Sequence, residues 1–83
     1  MPRRHLPDEV QILGVTVAVK LASRKELDSV AGPKTYACWV VDSRTVYVLR
    51  SLSWERKVEM LMHELEHAFT DYKSWLKDEL LRG

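Results

Sequence analysis

The chain holds a single cysteine, Cys38, so no internal disulfide can form and the sequence is compatible with a reducing compartment. It also lacks an excess of either charge. Thirteen Lys and Arg against twelve Asp and Glu leave a net charge of +1, with the signs interspersed, which gives no general pull toward nucleic acid or an anionic membrane. No apolar run is long enough to span a bilayer. The start, Arg3-Arg4-His5 with the apolar stretch Ile12 to Ala22 further on, does not read as a secretory signal. Asp8 and Glu9 stand between the two, and Lys20 interrupts the apolar residues. Glycine and proline are scarce, and neither occurs between Pro33 and Gly83, so nothing there forbids long regular elements.

What the sequence does contain is His63-Glu64-Leu65-Glu66-His67, an H-E-x-x-H pattern in its longest helical stretch. On a helix the two histidines stand one turn apart on one face, where both imidazoles can converge on a tetrahedral metal. Glu64 then stands beside the metal, placed to take a proton from water rather than to ligate. Ser53 is the expected N-cap, with Glu55 in the first turn. Trp54, Val58, Leu61, Met62, Leu65, Ala68, Phe69 and Tyr72 recur at three- and four-residue intervals as one apolar stripe. At about 100° per residue the histidines point roughly opposite that stripe, with Glu64 and Met60 flanking them, which sets them apart from core histidines. The bland reading, two surface histidines and a glutamate at this spacing by accident, is the weaker one.

The run His63 to Tyr72 resembles the active-site helix of the zincin metallopeptidases, in its thermolysin-like gluzincin version, with Ala68 and Thr70-Asp71-Tyr72 in matching positions. The wider segment, from Thr45 to Leu49 through Leu52-Ser53-Trp54 into the motif, is more similar to small phage and bacterial zincins of the ImmA/IrrE and SprT-like kind. In those, a β-hairpin leads through a short Leu-Ser turn into the HExxH helix. The resemblance spans residues 35 to 72. It implies a minimal zincin-like domain, a zinc metallopeptidase with a protein or peptide substrate, and a cytoplasmic site of action, the host cytoplasm if the chain is phage-encoded. It also implies that an exposed edge strand beside the metal holds an extended substrate.

The remaining chain reads as one domain over residues 1–83, near the size at which a single core is only marginally sufficient and a metal or a partner subunit adds stability. Val15, Val17, Val19 and Leu21 alternate with Gly14, Thr16, Ala18 and Lys20 as a half-buried strand. Ser23 to Val30 is a short helix or an irregular connection closed by Ala31-Gly32-Pro33. Thr35 to Val41 and Thr45 to Leu49 form an antiparallel hairpin about Asp42-Ser43-Arg44, with Cys38 a buried strand residue. A last short helix spans Ser74 to Arg82. The expected fold is α+β: a small antiparallel or mixed sheet packed on the long HExxH helix.

Zinc is the expected ion, since imidazole with a carboxylate suits it, and His63, His67 and a carboxylate would hold it. Asp71 lies two turns from His63 on the same helix, too far along the axis to ligate; it either orients a ligand imidazole or is solvated. Glu79 is the preferred third ligand, reached if the chain turns back near Lys73-Ser74, with Asp78 next and His5 after it. Without a third donor, the alternatives are a metal-binding or protein-interaction module, or a part completed by another chain. The expected partners are therefore a peptide substrate and a homo-oligomer or other protein, with no nucleic acid and no membrane. Trp39, Trp54 and Trp75 are assigned to the core or to an interface.

Overall fold

A computed structural model describes residues 5–82; Arg3-Arg4 of the basic start and the terminal Gly83 lie outside the described residues. Two local hairpins and two helices make up the chain. In the first hairpin, β1 (Glu9–Ile12) runs antiparallel to β2 (Val15–Ala22), with Ile12 paired to Val15 across the two-residue turn Leu13-Gly14. Both turn residues have positive φ, 50° and 83°, the conformation that matches the right-handed twist of a tight hairpin. Glycine adopts it freely, whereas Leu13 carries a side chain through a region that L-residues avoid. After β2 comes α1 (Arg24–Ala31), started by a reciprocal capping box in which Ser23 Oγ accepts from the Glu26 N–H and the Glu26 carboxylate accepts from the Ser23 N–H.

The second hairpin joins β3 (Ala37–Val40) to β4 (Thr45–Leu49) and is antiparallel as expected. Its β4 lies beside β2, with which it pairs in parallel, so the sheet is mixed and four-stranded in the order β1-β2-β4-β3. That parallel seam needs a crossover, which α1 and β3 supply. Both edges, β1 and β3, are short.

Strand alternation divides the sheet's two faces. Val17 and Val19 of β2 and Val46 and Val48 of β4 point to one face, where they join Leu6, Ile12, Leu61 and Ala68 in the main core. Ala22 and Leu49 point to the other, where the fully buried Leu27 anchors α1. The result is a small α+β fold with a helix on each face of the sheet.

Over the main core lies α2 (Trp54–Arg82), capped by Ser53, whose Oγ accepts from the Arg56 N–H at 3.3 Å. The short last helix expected from Ser74 is absent, because α2 runs unbroken to Arg82. Nothing in Lys73-Ser74 removes a donor or forces a turn, so the helix continues. At 1.5 Å per residue its 29 residues reach about 43 Å, close to the molecule's longest extent of 45 Å. Tyr72 is the last half-buried residue, and every residue from 73 to 82 is exposed. The buried stripe is also narrower than the periodicity implied. Leu61, Leu65, Ala68 and Tyr72 pack on the sheet, whereas Met62 and Phe69 remain 57% and 45% exposed, because four strands do not extend under that flank of the helix. Trp75, expected in a core or an interface, is likewise exposed at the free end.

Candidate metal site on the long helix

Helical spacing alone places His63 and His67 on the exposed side of α2, away from Leu61, Leu65 and Ala68. Their Nε2 atoms stand 3.2 Å apart, with ring centroids 4.7 Å apart and the rings nearly perpendicular at 89°. Two nitrogens bound about 2.0 Å from one tetrahedral ion are separated by about 3.3 Å. The imidazole pair therefore has the spacing of adjacent corners of a tetrahedral zinc site. The same spacing is also that of a hydrogen bond between the two ring nitrogens.

Glu64 lies on the flank between the histidines and the sheet and is half-buried. Burial pushes its carboxyl above the usual carboxylate range, and the nearby His67 and His63 imidazoles partly offset that rise. The Cys38 thiol on β3 is also raised, first by its own burial and then by the Glu64 charge. Cys38 is thus half-buried on an edge strand, not enclosed as expected. Glu64 consequently shares an electrostatic environment with both histidines and with the β3 edge.

Asp71, expected either to orient a ligand imidazole or to be solvated, is paired instead with Trp39. Its Oδ2 accepts a hydrogen bond from the Trp39 indole N–H at 2.9 Å, tying β3 to α2 one turn past His67. Trp39 also meets Tyr72 edge to face, at a centroid distance of 5.7 Å. The Tyr72 hydroxyl is buried with no hydrogen-bond partner among the described residues. A hollow of about 310 Å³ opens here, lined by Val15, Val41, Arg44, Asp71, Tyr72 and Trp75. Long-range side-chain pairing of this kind leaves no periodic signal in the sequence.

Glu79 is not brought to the histidines. It lies on the same uninterrupted helix, about 18 Å along the axis from His67, and ion-pairs with Arg82 at 3.4 Å. Asp78 is carried away on the same rod. His5 is exposed beside Leu6, Pro7 and Lys20 at another part of the surface. Among the described residues, no cluster of three or more His, Cys, Asp or Glu side chains could hold a metal ion. The donor set therefore fits zinc at two positions of a site that requires more.

Compared with known proteins, the chain matches no family model, no curated protein and no solved structure. The resemblance to the zincin metallopeptidases is corrected accordingly. It rested on one short helical pattern, no family match supports it, and the described residues lack the ligand cluster that such a domain requires. The fold stands as a small α+β arrangement of a four-stranded mixed sheet with a long C-terminal helix. No helix among the described residues is long and apolar enough to cross a membrane.

Proposed function

We propose that the chain is a zinc-dependent hydrolase of peptide bonds, with His63 and His67 as metal ligands and Glu64 as the proton-carrying base. The observation that carries this reading is the 3.2 Å approach of the two Nε2 atoms on an exposed helix face, at the spacing one tetrahedral ion demands. Zinc bound there would supply Lewis acidity to water and to a substrate carbonyl. The protein's own part is positional. The two imidazoles come side by side because they lie four residues apart on one helix. Glu64, one residue from His63, takes the proton of the attacking water on a carboxylate oxygen and hands it to the departing amide nitrogen. A further donor comes from outside the described residues, from a partner chain or from the substrate itself.

A second reading has an observation in its favour. The pair sits on an open helix surface with two donors, an arrangement that suits a metal-dependent binding module as well as an enzyme. Glu64→Gln separates the two. The experiment is elemental analysis of the purified chain after zinc is supplied, together with hydrolysis of a quenched-fluorescent peptide library. An enzyme binds one zinc per chain, loses the metal in His63→Ala, and loses turnover but not zinc in Glu64→Gln. A binding module keeps its metal in Glu64→Gln and shows no turnover in either form. Absence of zinc from the wild-type chain would overturn both.

A further inference from the structure

The exposed flank of α2 carries a second pattern, independent of the histidines. Met62, Phe69 and Leu76 recur at seven-residue intervals, and Leu80 continues their line, so the four side chains form one apolar stripe along nearly two-thirds of the helix. All four are exposed, Leu80 by 73%. Where this stripe passes β1 it becomes one wall of an open, mainly apolar groove of about 450 Å³, with Val10 and Ile12 on the other side. Beyond Tyr72 every described residue of the helix, the stripe included, is exposed.

The charges beside the stripe change sign along the helix. Glu59 and Glu66 border its N-terminal half, and Lys73 and Lys77 border its C-terminal half, all on the same side at about 100° per residue. A two-fold axis perpendicular to two antiparallel helices brings this border against itself in the reversed direction. With the crossing at Phe69, Met62 of each copy comes level with Leu76 of the other, and Glu66 comes within one residue of Lys73. A parallel pair would set each border against the opposite side of its partner's stripe and waste the sign change.

We propose that this flank of α2 is the interface of an antiparallel homodimer, in which the free C-terminal half of each helix lies in the β1–α2 groove of the other copy. The pairing is isologous and closes on itself. An interface confined to one helix stripe and its groove is small, and a weak, concentration-dependent dimer is expected of it. The histidines lie roughly 100° or more around the helix from the stripe, so the dimer leaves their face open.

The test is the solution mass of the full chain by light scattering and by sedimentation, over concentrations from about 10 to 200 μM, a range suited to an interface of this size. The expected result is a reversible species of twice the 9.7 kDa chain mass. Leu80→Glu should return it to monomer with an unchanged circular dichroism spectrum, because Leu80 is 73% exposed. Glu66→Lys should weaken the dimer several-fold, and adding Lys73→Glu in the same chain should restore it, a rescue that only antiparallel contact between these residues provides. A 9.7 kDa monomer at every concentration would overturn the proposal, as would a dimer indifferent to Leu80→Glu and to the charge swap. Sedimentation of a monomeric chain with anionic phosphatidylserine vesicles would also overturn it, assigning the stripe to a lipid surface.

Discussion

The Trp39 indole N–H and the Asp71 carboxylate meet at 2.9 Å, thirty-two residues apart in sequence, and this hydrogen bond closes edge strand β3 against the helix that carries the histidines. A bond to a charged acceptor contributes about 1.5–3 kcal/mol where it is shielded, and less at this exposed site. Asp71→Ala should therefore lower stability by about 1 kcal/mol, whereas Asp71→Asn, which keeps an acceptor oxygen, should cost less. Thermal melts of the two variants check this. Zinc bound per chain should be equal in both, since Asp71 is engaged by Trp39; loss of zinc in Asp71→Ala would return this residue to the site.

Tyr72 contributes a hydroxyl that is buried and has no partner among the described residues. Removing it relieves a desolvation penalty while the ring keeps its edge-to-face contact with Trp39. Tyr72→Phe should leave stability unchanged or raise it by about 1 kcal/mol in urea unfolding. A clear loss would mean that the hydroxyl has a partner in solution.

Burial sets the behaviour of Cys38. Its thiol is raised above the ordinary 9.0, so at neutral pH it is protonated and a poor nucleophile. Alkylation by iodoacetamide should be slower than that of a free peptide thiol at pH 8 and should keep rising above pH 9, when the peptide reference levels off. The folded state favours the neutral thiol. Its contribution to stability is thus fully present below the unfolded-state value and is lost as pH rises through the higher folded-state one. Cys38→Ser should remove that alkaline component, measured by melts between pH 7 and pH 10.

Leu27 in α1 and Leu80 in α2 should respond very differently to truncation. Leu27 is fully buried as the anchor of α1, so Leu27→Ala should cost about 2–5 kcal/mol. Leu80→Ala, at an exposed position on the free end of α2, should change monomer stability by less than about 0.5 kcal/mol. Comparable losses from the two would mean that the end of α2 is packed.

Much of this architecture could be read from short-range pattern. Val15 to Leu21 alternates strictly, the β3–β4 hairpin has its turn residues in place, and Ser53 stands where the long helix needs a cap. The parallel β2–β4 seam was not legible, because parallel pairing depends on how a crossover docks and leaves no mark on either strand. β1 is hard to read from the sequence because Glu9 and Gln11 dilute a strand of only four residues, although Val10 and Ile12 followed by Gly14 are the trace of its hairpin. At the candidate site, the one-turn spacing of His63 and His67 was legible because a helix fixes it locally. The assignment of Glu79 needed a break in α2 that no residue enforces, and the Trp39 claim on Asp71 spans a separation that periodicity does not address.

The arrangement of the sheet also bears on how the chain comes together. Each hairpin closes over a short loop and can form on its own, at small entropic expense. The central β2–β4 seam joins residues separated by α1 and all of β3, and it is the slower, less local step. The helix bearing the histidines follows β4 directly, so it belongs to the second hairpin's half of the molecule, and its footing on Val17 and Val19 exists only after that seam has zipped.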